Sequence, residues 1–108
     1  MRDGHYKVAF HTPLGEGSGV AYLHDGKLHG GDLIQYYVGT YQSEGDSFRA
    51  EVSSKPHTKQ SGLGSVFGVD TAHITLTGSF EGDVGHFKGT AREAPGITFT
   101  ASLHRLCD

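Results

Sequence analysis

Apolar and polar residues alternate along several short stretches of this chain, and glycine-containing turns separate the stretches. The first stretch places Tyr6, Val8 and Phe10 on one face. A period of two residues is typical of half-buried antiparallel strands, and the spacing of amphipathic helices is nearly absent. The pattern therefore predicts an all-β protein.

The residues in the turns predict how neighbouring strands pair. Asp25 and Gly26 stand between two alternating stretches, and such a pair favours a two-residue hairpin because both central positions need positive φ. This turn would place Leu23 opposite Leu28. A second two-residue turn is predicted at Glu44 and Gly45, which would place Tyr41 opposite Phe48 and Gly39 opposite Ala50.

The stretch from 31 to 42 is expected to form one long strand that is apolar on both faces. One face carries Leu33, Tyr37 and Tyr41, and the other carries Ile34, Tyr36 and Val38. An apolar outer face on a strand usually indicates an interface, so Ile34, Tyr36 and Val38 are candidates for a dimer or partner surface. The alternative is that a later segment of the same chain covers this face.

Three further strands are predicted over residues 71–81, 84–92 and 97–106, with turns at 82–83 and 94–96. The first of these turns would place Gly78 opposite Phe87, Leu76 opposite Gly89 and Ile74 opposite Ala91. Large residues would then face small ones, which fits a strongly curved sheet, and closing that sheet would remove its exposed edges. We therefore predict one domain over residues 1–108, a closed or nearly closed eight-stranded antiparallel barrel.

A long connection at about 55–70 is expected to cross one end of this barrel, with a short helical turn near residues 65–67. The alternation also predicts which large side chains face the interior, where a small apolar ligand would bind if a cavity exists. These side chains are Tyr6, Phe10, Tyr37, Tyr41, Phe48, Phe87 and Phe99.

Charge and cysteine content narrow the possible functions. The chain has 9 Lys and Arg against 12 Asp and Glu, a formal net charge of −3, which disfavours direct binding of nucleic acid. The single cysteine, Cys107, cannot form an intrachain disulfide, and no segment resembles a signal peptide or a membrane span. We therefore expect a cytoplasmic protein without membrane contact.

The sequence motifs do not combine into a catalytic or metal-binding site. The glycine-rich run at 15–19 lacks the lysine of a phosphate-binding loop, and no serine lies in a nucleophile elbow. The 8 histidines are dispersed without the compact pair that opens a zinc site. A three-residue turn at 94–96 would place His86 opposite His104, which suggests at most a weak metal site or a pH-responsive pair. We expect a non-enzymatic protein with no cofactor and no resident metal.

Four motifs resemble the GrlR-like negative regulators of bacterial type III secretion. They are D-G-x-Y at 3–6, G-E-G-x-G-V at 15–20, D-G-K-L-H-G-G-D at 25–32 and Y-x-V-G-T-Y at 36–41. The resemblance covers residues 3 to about 54 and continues loosely through the last three strands. It implies a lipocalin-like barrel, a homodimer, and a regulator that restrains a transcriptional activator by binding it, without contacting DNA.

A member of that family uses four consecutive acidic residues, in the turn after the long strand, to recognise its partner. The matching turn here keeps Glu44 and Asp46, which are therefore candidate partner-binding residues. The alternative function is a calycin-type carrier of a small apolar ligand. An open cavity above about 300 Å³ would favour the carrier, whereas a filled interior with an apolar outer face would favour the regulator.

Overall fold

The strands of this protein close into one antiparallel barrel. The computed structural model describes residues 1–58 and 71–108. The strands are β1 (Gly4–Thr12), β2 (Gly15–His24), β3 (Lys27–Gly31), β4 (Gln35–Glu44), β5 (Ser47–Pro56), β6 (Ala72–Glu81), β7 (Val84–Ala91) and β8 (Ala94–Cys107). Each strand pairs with the next, and β8 pairs with β1. The prediction of a closed eight-stranded antiparallel barrel is confirmed.

The described parts of the chain contain no helix that is long and apolar enough to cross a membrane. The connection predicted at about 55–70 begins later than expected, because β5 continues to Pro56. Its predicted helical turn near 65–67 lies outside the described residues.

Two of the predicted turns are confirmed. Asp25 and Gly26 have φ values of 52° and 78°, and Leu23 pairs with Leu28. The turn at residues 82–83 pairs Gly78 with Phe87. Gly26 in the first hairpin and Gly82 in the second have positive φ, as expected for glycine in a two-residue turn.

The predicted turn at Glu44 and Gly45 is wrong by one residue. The turn residues are Gly45, with φ of 60°, and Asp46, so that Glu44 pairs with Ser47. Tyr41 therefore lies opposite Ala50 rather than Phe48, and Gly39 lies opposite Val52 rather than Ala50. Each strand keeps its predicted inward face, because the pairing moves by two residues and the side-chain period is two.

The prediction of one strand over 31–42 is also wrong, because the chain turns at residues 32–34. Asp32 Oδ1 accepts hydrogen bonds from the backbone N–H groups of Ile34 and Gln35, both at 2.8 Å. The Asp32 N–H donates to the Gln35 carbonyl at 2.9 Å. A short aspartate side chain that bonds to the backbone two and three residues later stabilises a turn. Leu33 and Ile34 thus belong to a turn and not to a strand.

The start of the last strand differs from the prediction as well. The turn lies at residues 92–93, so that Ala91 pairs with Ala94, and an irregularity follows before Thr90 pairs with Thr98. His86 therefore lies opposite Ser102, and His104 lies opposite Val84. The predicted His86 and His104 pair does not form. Within residues 1–58 and 71–108, no group of three or more His, Cys, Asp and Glu side chains could hold a metal ion.

A candidate protein-binding surface on the barrel exterior

Several aromatic rings pack against one another inside the barrel. Phe48 lies 5.2 Å from Phe87 and 5.4 Å from Phe80 between ring centroids, and Tyr41 stacks on Phe48 at 5.3 Å. Gly78 stands between Phe48 and Phe87 on the strand that separates them, and its missing side chain lets the two rings meet. Offset and edge-to-face ring pairs of this kind add about 0.5–1.5 kcal/mol each beyond area burial.

The predicted interior residues lie where the alternation places them, although two of them are only half-buried. Tyr6, Tyr37, Phe48, Phe87 and Phe99 are each at most 5% exposed. Phe10 and Tyr41 are half-buried, and Phe10 meets the ring of Tyr37 edge-on at 5.8 Å. Sequence reasoning missed Phe80, which follows Gly78 in phase and is 4% exposed.

The buried tyrosine hydroxyls have partners. The Tyr37 hydroxyl donates to Asp32 Oδ2, so the turn carboxylate also anchors an interior side chain. Burial, followed by this hydrogen bond to a carboxylate, raises the pKa of Tyr37 well above its ordinary value. The Tyr6 hydroxyl donates to the Arg2 carbonyl oxygen at 2.5 Å, and burial raises the pKa of Tyr6 as well. Both groups are held neutral and act as structural donors.

The space left between the inward side chains is small. A void of about 20 Å³ lies among apolar residues that include Val8, Leu28 and Leu76. This volume is close to that of one water molecule and far below the roughly 300 Å³ of the smallest usual ligand pockets. The described strands therefore pack their interior with their own side chains.

The outer face carries an apolar patch across three strands, which we define as Val20 and Tyr22 of β2, His29 of β3, and Tyr36 and Val38 of β4. Tyr22, His29 and Val38 lie side by side in one cross-strand row. Val20 and Tyr36 lie in the next row, with Gly31 between them. The four apolar or aromatic members are 37–44% exposed. A continuous exposed patch of this kind marks an interaction surface more often than single exposed residues do.

Polar and basic side chains border this patch. The His5 ring lies 4.6 Å from the Tyr22 ring, and the His24 ring stacks against Tyr22 with the ring centroids 5.8 Å apart. The row of Val20 and Tyr36 ends at Lys7 on β1 and at Lys55 on β5, both exposed. An apolar centre with a polar rim is the usual anatomy of a protein interface.

The predicted partner surface of Ile34, Tyr36 and Val38 is divided in the structure. Tyr36 and Val38 belong to the apolar patch, whereas Ile34 is half-buried in the turn before β4. The Ile34 carbonyl accepts backbone hydrogen bonds from His57 at 2.8 Å and Thr58 at 3.3 Å, so the chain after β5 passes along this turn. Its own chain therefore contacts one end of the predicted surface, while Tyr36 and Val38 are 40% and 44% exposed.

Three members of the apolar patch were missed by sequence reasoning: Val20, Tyr22 and His29. The signal for them was present, because pairing Leu23 with Leu28 also pairs Tyr22 with His29 on the opposite face. Only the position of β4 beside β3 was missing, and it depends on the turn at Asp32.

The acidic turn of Glu44 and Asp46 lies at the end of the β4–β5 hairpin, and both residues are exposed. The backbone holds this turn: Gly45 takes φ of 60°, and the Asp46 carbonyl accepts a hydrogen bond from the Phe80 N–H at 2.8 Å. Both carboxylates are therefore available to solvent or to a partner.

A scan against models of known protein families finds no match to this chain, and a search of curated proteins finds no similar sequence. The resemblance to the GrlR-like regulators therefore stays a prediction that depends on the four motifs.

Proposed function

We propose that this protein is a non-enzymatic bacterial regulator that works in the cytoplasm by binding another protein through the outside of its barrel. The observation that carries this proposal is the exposed apolar patch on β2, β3 and β4, combined with a void of about 20 Å³ between the inward side chains of the described strands. Because this void is far smaller than the roughly 300 Å³ of a small-molecule pocket, it favours a regulator over a carrier of a small apolar ligand. The resemblance to GrlR-like negative regulators supports a transcriptional activator as the partner.

The apolar patch is the proposed homodimer interface. Each of its four apolar or aromatic side chains is about 40% exposed, so covering it completely would contribute roughly 1 kcal/mol. Two facing patches would bury such side chains from both copies, and contacts between the polar rims would add to the interface. We expect a dimer at tens of micromolar.

The acidic turn is the proposed contact with a basic activator. Glu44 and Asp46 are exposed at the end of a hairpin whose turn is stabilised by the positive φ of Gly45 and by a backbone hydrogen bond to Asp46. Exposed carboxylates contribute little to stability, but they raise the association rate with a positively charged partner.

Sedimentation of the wild-type protein and the Tyr36→Asp variant tests the dimer interface. We expect the wild type to sediment as a dimer at tens of micromolar and the variant to shift towards monomer, because the dimer would bury an unpaired charge in a desolvated surface. Gln42→Asp is the matched control, since Gln42 is exposed on the same strand and the same face but lies outside the patch. A wild type that is monomeric at tens of micromolar would refute the dimer interface.

A pull-down from the native host with mass spectrometry tests the choice of partner. We expect a DNA-binding activator, whose capture weakens in the Glu44→Ala, Asp46→Ala double variant. Recovery of no DNA-binding protein, or equal capture by both forms at low salt, would contradict this part of the proposal.

A further inference from the structure

A second surface lies on another side of the barrel, where the outer faces of β2, β1, β8, β7 and β6 form a depression of about 890 Å³. Strongly twisted strands make the outside of a barrel concave along one diagonal, which accounts for such a shape. Small side chains occupy one cross-strand row of the depression: Ser18, Ala9 and Ser102 lie side by side on β2, β1 and β8. Longer side chains stand on both sides of this row.

The charges that line the depression differ from those of the whole chain. Acidic residues outnumber Lys and Arg in the chain by 12 to 9. In the depression, Lys7 and Lys88 face a single acid, Glu16, whose carboxylate is held by the His11 ring at 3.0 Å. The remaining polar lining consists mainly of hydroxyl groups and the imidazole of His86. The surface therefore favours a negatively charged occupant.

The shape of the depression and the side chains that line it indicate which class of negatively charged molecule fits best. Small-molecule pockets usually enclose 70–90% of their ligand, whereas this depression is open to solvent across five strands, a width of roughly 20 Å. Single-stranded nucleic acid would need exposed aromatic side chains for base stacking. The lining has two aromatic residues: Phe10 is half-buried and Phe87 is buried, so neither ring is fully exposed for stacking. An extended segment of about six residues would fit the width at roughly 3.3 Å per residue.

We propose that the depression between Lys7 and Lys88 binds an acidic peptide segment of a partner protein. The carboxylates of the segment pair with the two lysines, and its backbone lies over the row of Ser18, Ala9 and Ser102. This site adjoins the proposed dimer interface at Lys7, which pairs with Val20 of the apolar patch and also lines the depression, whereas Tyr36 and Val38 do not line it.

Fluorescence anisotropy with a labelled peptide of alternating Glu and Ala tests the proposal. We expect saturable binding that weakens about tenfold in the Lys7→Glu, Lys88→Glu double variant and also weakens as salt rises. The milder Lys7→Gln, Lys88→Gln variant should show a smaller loss in the same direction, and thermal melting should establish that each variant is folded. The matched control is Lys27→Glu with Arg49→Glu, which makes the same charge change at exposed positions outside the depression.

Several results would overturn the proposal. These are absence of saturable binding, an equal loss of affinity in the control double variant, and tighter binding of a single-stranded oligonucleotide than of the peptide. The Tyr36→Asp variant should bind the peptide as the wild type does. Failure of the dimer interface and failure of the peptide site are therefore distinguishable.

Discussion

Replacing Gly78 with alanine is expected to destabilise the barrel, although alanine is normally the better residue in a strand. An added Cβ would overlap the His86 carbonyl oxygen and lie 2.8 Å from the Phe87 Cα atom. Both are backbone atoms of β7, so the strand itself would have to move. Gly→Ala gains about 0.4–1 kcal/mol by restricting the unfolded chain, while overpacking of this kind costs about 1–3 kcal/mol. The steric effect is the larger one, and the net loss should be about 1–2 kcal/mol.

Gly96 provides the matched control, because an added Cβ there would meet no atom within 4 Å. Urea unfolding of both variants should show a lower midpoint for Gly78→Ala and an unchanged or higher one for Gly96→Ala. For a domain of this size, each kcal/mol corresponds to about 4–8 °C in Tm. Equal stability of the two variants would refute the argument that Gly78 is required for close approach of β6 and β7.

Three further predictions concern the core, the acidic turn and acid stability. Phe99→Ala should cost about 3–5 kcal/mol in denaturant unfolding, because Phe99 is 3% exposed; a loss below about 1 kcal/mol would contradict its interior position. Glu44→Ala with Asp46→Ala should leave Tm nearly unchanged and weaken capture of a basic partner, more at low salt than at high salt. Hydrogen bonds from the ring and N–H of His73 lower the pKa of Glu93 from 4.5 to about 2, so this carboxylate contributes stability above pH 4.5 that is lost as pH falls towards 2. Glu93→Gln should therefore show a shallower loss of stability over this range, and identical pH profiles would contradict the contribution.

Strand alternation and turn chemistry were sufficient to predict the closed barrel and most of its core. The turn at Asp25 and Gly26 was predictable because the Asp-Gly pair suits two successive positive φ values. The position of the turn at Gly45 was ambiguous, because glycine can occupy either central position of a two-residue turn. A shift of pairing by two residues keeps every inward side chain inward, so the hydrophobic pattern cannot detect it. The errors at Tyr41 and at His86 both have this cause.

The candidate surface was only partly predictable. Tyr36 and Val38 were identified because an apolar outer face is visible within a single strand. Identifying Tyr22 and His29 as members of the patch required the position of β4 beside β3. That position depends on the turn at Asp32, which separates the two strands. A single Gly-Gly-Asp sequence inside an apolar stretch gives a weak turn signal, and the alternation on either side favours one continuous strand. The depression of Lys7 and Lys88 depends on the twist of five strands, which no local pattern reports.

Hydroxyl-radical footprinting of the tyrosines over a range of protein concentrations tests the central claim, that the apolar patch binds protein. Tyr22 and Tyr36 are 37% and 40% exposed, whereas Tyr6 is fully buried and serves as the internal reference. If the patch is the dimer interface, labelling of Tyr22 and Tyr36 should fall together as the concentration rises through the micromolar range, while labelling of Tyr6 stays low throughout. Labelling of Tyr22 and Tyr36 that does not change from the lowest to the highest concentration would contradict the account.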